Sequence, residues 1–130
     1  MTALHALRFG LGIDSLTSSS GAMSGALDPV HGMYWAWQSG YIHFKLEGST
    51  KYAACRNGHF RFHLGGYRYP FNSWRERVLA VPDADTLSVQ LDLAPFIKAA
   101  DLVHSCEVMS PGARALELVQ MLLPQFTLRP

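Results

Sequence analysis

Three features of the chain predict an all-β fold, mainly antiparallel and sandwich-like, with a short C-terminal helix. Several short runs alternate between apolar and polar residues, the period of a half-buried strand. Turn residues punctuate those runs at close intervals. Only the tail changes to a helical period. The 130 residues suit one domain spanning 1–130. With 48% apolar and 16% charged residues, the chain can build a core and is unlike a disordered one.

Leu7 to Ile13 reads as a strand in which Gly10 and Gly12 allow a close backbone approach. Asp14 to Pro29 reads as a long loop rich in Ser and Gly. Loops of that length are usually functional or disordered. Asp14 and Asp28 are placed to order it through side-chain to backbone bonds. Trp35 and Trp37 are two apart, so a strand would put both on one face. From Tyr41 to Glu47, Ile42, Phe44 and Leu46 take one face, and Tyr41, His43, Lys45 and Glu47 the other. Asn57-Gly58 is a turn signal. His59 to Leu64 alternates again, with Phe60, Phe62 and Leu64 opposed to His59, Arg61 and His63. Val78 to Val81 and Leu87 to Leu93 give further strands. A short helical piece is expected over Pro95 to Ala100. In the tail, Ser110 is a candidate N-cap and Pro111 a candidate first helical residue. Ala115, Leu118 and Leu122 then share a face, flanked by Leu116, Val119 and Leu123, and Pro124 ends the helix.

The formal net charge is +1 and the basic residues are scattered, so no footprint for nucleic acid is present. No apolar run is long enough to span a bilayer. Met1 to Gly10 lacks the pattern of a signal peptide, so the chain read alone would pass for cytoplasmic. Cys55 and Cys106 are the two cysteines. A bridge between them would close a loop of about fifty residues, worth roughly 4 kcal/mol. Two buried thiols are the other reading. An enzyme using either as nucleophile would need an activating base, and no His–Asp arrangement supplies one. GxSxG, P-loop and HExxH motifs are absent, and the chain reads as a non-enzyme.

Six histidines are a mild excess. His43, His59 and His63 occupy the polar phase of predicted strands, where imidazoles could converge on a metal such as copper, zinc or nickel. Ordinary surface or hydrogen-bonded histidines account for the spacing more simply. Trp35, Trp37 and Trp74 by composition alone belong to a core or its rim. The five methionines do not cluster as thioether copper sites do and read as packing residues.

The run from Gly25 to Ile42, GALDPVHGMYWAWQSGYI, leading to Lys45-Leu46-Glu47-Gly48, resembles the signature of the MbnP-like family. Phe9 to Thr17, Phe62 to Tyr67 and Val108 to Gly112 resemble three further segments of that family. The resemblance implies an exported, β-rich periplasmic or outer-membrane-associated protein. It implies copper as the bound metal. It implies a partner of the MauG type, a di-haem c-type cytochrome peroxidase-like protein that can oxidise a tryptophan to kynurenine. Carried over, Trp35 or Trp37 becomes the residue modified. His63, inside a family motif, becomes the first candidate copper ligand, with His31 and His43 behind it. An exported location also favours the Cys55–Cys106 bridge over free thiols. Family members carry a signal sequence and opening strands ahead of the Phe9 segment, so the resemblance implies that this chain lacks an N-terminal part. The competing expectation is a metal-free β-sandwich that binds a ligand or serves adhesion.

Overall fold

The structure, a computed structural model, describes residues 4–52 and 55–130. Its centre is a sheet of four strands in the order β2-β3-β4-β7: β2 (Tyr34–Trp35), β3 (Gly40–Ser49), β4 (His59–Gly65) and β7 (Glu107–Val108). The β3–β4 pair is antiparallel and is the longest ladder. β7 joins β4 in parallel, with Arg61 opposite Glu107 and Phe62 opposite Val108. Two antiparallel pairs complete the strands. β1 (Ala6–Leu11) lies on β5 (Arg75–Ala80), and β6 (Ser88–Leu91) on β8 (Phe126–Arg129). Mainly antiparallel strands with a short C-terminal helix are thus what the sequence predicts.

The layer packed on the central sheet is helical. α2 (Ala94–Ala100) and α3 (Ala113–Leu122) cover the face bearing Phe44, Leu46, Phe60, Phe62 and Leu64. Phe62, Leu64, Phe96 and Leu118 are fully buried in that core. The Phe96 ring meets those of Phe44 and Phe62 edge-on, at 5.4 and 5.8 Å between centroids. Ala115, Leu118, Val119 and Leu122 form the buried face of α3, as the helical period requires. Arg114 reaches back and donates to the Ala99 and Ala100 carbonyls. A cation there meets the partial negative charge at the end of α2.

Cys55 and Cys106 are joined in a disulfide. It ties the connection between β3 and β4 to the residue before β7, where the Arg61 N–H also donates to the Cys106 carbonyl at 2.8 Å. The small pairs are linked by Phe9 against Phe126, centroids 5.3 Å apart, and by Arg77 donating to the Phe126 carbonyl.

Several local expectations are corrected. The Asp14–Pro29 stretch is not bare loop. It holds α1 (Ser15–Ser19) and two single 3₁₀ turns, Gly25–Leu27 and Pro29–His31. Asp14 caps α1 through the Thr17 N–H and hydroxyl, and Asp28 accepts from the Val30 N–H, which is the ordering role expected of both. The last long helix begins at Ala113 with Gly112 as N-cap, so Ser110 and Pro111 stand outside it. β8 follows that helix where the sequence suggested no strand. Val89 on β6 is exposed, because that strand pairs only with β8 at the edge of the molecule.

Candidate functional site

The site is organised by one irregularity in β3. Ile42 pairs with Gly65, and Phe44 with Leu64, so His43 is an extra residue on its strand. A bulge of this kind re-aims side chains next to it. Strict alternation would send His43 to the polar face with Lys45 and Glu47. Instead Tyr41, Ile42 and His43 are all buried in succession, and alternation resumes at Phe44.

His43 is 7% exposed. Its Nδ1 shares a hydrogen bond of 2.9 Å with the Ser73 hydroxyl, itself fully buried. The Ser73 hydroxyl has one proton and a second acceptor within reach, the Gly66 carbonyl at 3.5 Å. When the Ser73 hydroxyl donates to the Gly66 carbonyl, Nδ1–H donates to Ser73 and Nε2 carries the lone pair; when it donates to Nδ1, Nε2 carries the proton. Among the described residues Nε2 has no hydrogen-bond partner. Burial pushes the His43 pKa down to about 4, against a smaller raising effect from the Ile13 backbone. The ring is therefore neutral at ordinary pH.

The ring lies flat against Gly12. That residue has φ +99°, and a side-chain carbon there would collide with the imidazole. Gly12 is required on both counts, conformation and space. His43 lines a cleft of about 260 Å³ whose other walls include Asp28, Met33, Tyr41 and Leu27. Tyr41 holds the outer wall in place. Its hydroxyl donates to the Leu27 carbonyl at 2.7 Å and accepts from the Met23 N–H at 2.9 Å. A second edge-on contact with Tyr34, 4.9 Å between centroids, fixes the ring.

The other candidate histidines stand apart. His63 is buried on the opposite face of β4 and donates from Nε2 to Glu47 at 2.6 Å. That bond holds the Glu47 carboxyl below its ordinary pKa. His31 is exposed in its 3₁₀ turn and donates from Nε2 to the Gly25 carbonyl at 3.1 Å. His59 is exposed at the far end of the ladder, opposite Ser49. Among the described residues no group of three or more His, Cys, Asp or Glu is placed to hold a metal ion. The strand faces seen in the sequence therefore do not bring the histidines together.

The two tryptophans do not share a strand face. Trp35 ends β2 and is 6% exposed, its ring pressed on Gly65 where any side chain would clash at 2.8 Å. Trp37 sits in the turn between β2 and β3 and is 66% exposed. The turn folds its indole back to 5.8 Å from Trp35, between centroids. Trp74 lies elsewhere, over Gly10. Ser73 escaped the sequence reading, and Met33, read there as a packing residue, lines the cleft. Both are distant from His43 in sequence, and no local pattern announces that they meet it.

The MbnP family model matches residues 2–110. The chain belongs to the MbnP family. The MbnP match spans the Gly12–His43 contact, the loop over the cleft, the Trp35–Trp37 pair and the Cys55–Cys106 bridge. It stops before α3, which nonetheless completes the core. No curated protein and no solved structure matches the chain. Among the described residues no helix is long and apolar enough to cross a membrane.

Proposed function

We propose that this protein holds copper in the periplasm and is the substrate of a MauG-type di-haem partner, which oxidises Trp37 to kynurenine. The observation that carries the reading is His43 Nε2: buried, without a partner, and on a neutral ring lining an open cleft. A buried polar atom left unpaired is costly unless something satisfies it. A neutral imidazole is a good copper ligand, and the thioether of Met33 on the same cleft suits the soft cuprous ion. His63 donates from Nε2 to Glu47, which leaves only its Nδ1 to face a metal, and it does not line the cleft. His31 has its Nε2 engaged in the same way and stands in water. The disulfide agrees with an oxidising compartment.

Trp37 is favoured over Trp35 by exposure. A macromolecular oxidant can approach its indole, whereas Trp35 lies beneath it. The role is binding rather than catalysis.

Two measurements test the reading. Elemental analysis after copper loading should find stoichiometric metal in wild type and in His63→Gln, and loss in His43→Gln. Peptide mass spectrometry after incubation with the di-haem partner and its oxidant should find the modified residue at position 37. Copper retained by His43→Gln would remove the cleft as the site. A protein that takes up no copper before or after treatment with the partner would favour the metal-free binding or adhesion module.

A further inference from the structure

A neutral imidazole carries one proton, and only the nitrogen without it can bind a metal. Beside His43 stands Ser73. Its side chain is fully buried, with Oγ 2.9 Å from His43 Nδ1 and 3.5 Å from the Gly66 carbonyl. The hydroxyl has two arrangements. In the first it donates to Nδ1, and Nε2–H is a buried donor that nothing among the described residues receives. In the second it donates to Gly66 and accepts from Nδ1–H. Every proton of the pair then has an acceptor, and only the Nε2 lone pair is left over. Buried N–H groups left orphaned are rarer than acceptors left partly unsatisfied, which favours the second arrangement. The Gly66 carbonyl already accepts the Ser73 N–H at 2.9 Å and has a second lone pair for the hydroxyl. The Ile13 backbone favours a charged ring but makes no hydrogen bond with Nε2. The Ile13 carbonyl accepts from the Ser18 hydroxyl at 3.4 Å.

The hydroxyl is set in place by the chain around it. The bond from the Ser73 N–H to Gly66 closes the segment from Gly66 to Ser73, and within it the Phe71 N–H donates to the Arg68 carbonyl. Arg75 donates to the carbonyls of Asn72 and Trp74, the residues on either side of Ser73. Trp74 packs on Gly10 and the His43 ring on Gly12, so one short stretch of chain braces both neighbours of the hydrogen bond. Imidazoles that bind metals ordinarily donate their other N–H to a fixed partner. That partner sets the tautomer and raises the basicity of the ligating nitrogen.

We infer that Ser73 is a positioning residue: its hydroxyl holds His43 in the Nδ1–H tautomer and so keeps the Nε2 lone pair free for the cleft that the ring lines. The inference rests on the reading that His43 is a copper ligand, and it adds what prepares that ligand before the metal arrives. Ser73 does not line the cleft and acts only through the ring. Loss of its hydroxyl leaves Nδ1 without a partner. The ring then turns toward the Nε2–H tautomer that free histidine prefers, and a metal must displace that proton to bind.

The test is the nitrogen-15 NMR signature of the His43 ring in metal-free protein at neutral pH, for wild type, Ser73→Ala and Ser73→Thr. Long-range proton–nitrogen spectra separate a protonated ring nitrogen from a bare one. Wild type should show Nδ1 protonated and Nε2 bare. Ser73→Ala should shift the pattern toward Nε2–H, and Ser73→Thr, which keeps a hydroxyl, should restore it. Affinity for cuprous ion should follow, weaker by about tenfold or more in Ser73→Ala and recovered in Ser73→Thr. A merely structural role for Ser73 would lower stability without moving the tautomer. A protonated Nε2 in wild type would overturn the inference, as would a wild-type pattern retained in Ser73→Ala. So would a shifted tautomer with unchanged copper affinity. A wild type that shows Nδ1–H, loses it in Ser73→Ala and takes up no copper upholds the role of Ser73 and removes copper from the cleft.

Discussion

The two ends of the β3–β4 ladder are built on different principles. From Phe44 to Ser49 the pairing is regular, and apolar and polar residues alternate without a break. A disulfide holds the connection at that end. At the Gly40/Gly65 end the register breaks at His43, four successive residues from Gly40 to His43 are buried, and aromatic rings lie on glycines. The regular end is stabilised by covalent closure and by the helical layer. The irregular end spends backbone regularity to place one imidazole and one exposed indole. The difference teaches that a regular, covalently closed half and an irregular half bearing the proposed site can share a single pair of strands.

Variants can break that separation, beginning with the regular half. Paired Cys55→Ser and Cys106→Ser, or reduction of the bridge, should cost about 4 kcal/mol for closure of a loop of this length. Chemical denaturation with and without reductant measures it. Phe62→Ala, at the centre of the core, should cost about 3–5 kcal/mol. A loss below 1 kcal/mol for either change would mean that stability does not reside there.

The irregular half should reveal itself through pH. His43 is held neutral by burial, with its pKa pushed down to about 4 from an ordinary 6.5. Between those values the unfolded chain binds the proton that the folded chain refuses. Stability is therefore complete above about pH 6.5 and falls as pH drops toward 4, by about 3 kcal/mol in total. His43→Gln should flatten that part of the profile in urea denaturation measured across pH. The Glu47–His63 bond acts at lower pH. It holds the Glu47 carboxyl below its usual range, so its contribution is present above the ordinary carboxylate pKa and fades in stronger acid. A slope unchanged in His43→Gln would show that the bulge does not bury a neutral imidazole.

Smaller still is the effect expected of Gly12→Ala. The positive φ and the contact with the His43 ring should together cost about 2 kcal/mol, with loss of copper uptake exceeding the loss of stability. The smallest belongs to Trp37→Ser. A side chain that is 66% exposed and rests on Trp35 should change stability by only about 0.5 kcal/mol, while the partner-dependent mass change disappears. Trp35→Ala, two residues away and buried, should cost about 3–5 kcal/mol. This neighbouring pair is the sharpest form of the comparison.

Much of the fold was legible from residues two and four apart. Phe60, Phe62 and Leu64 alternate because one face of β4 is covered, and Leu118 and Leu122 recur because one face of α3 is. The turn at Asn57-Gly58 and the caps at Asp14 and Asp28 act through their own backbone, so short-range chemistry sufficed to see them. The family signature, too, is local: an unbroken aromatic run around Trp35. The sequence by itself therefore determined most of the strands, though not β7 or β8, together with the long terminal helix and the family. It also held the pair of cysteines, whose union waited on the fold. What only the tertiary structure decided is the role of each histidine and each tryptophan. His43 leaves the phase of its strand because a bulge inserts one residue, and a bulge depends on the partner strand rather than on any residue near it. Trp37 leaves the strand for a turn because Gly40 must pair with Trp35. Alternation predicts faces only while register holds, and at this site the register is what the fold gives up.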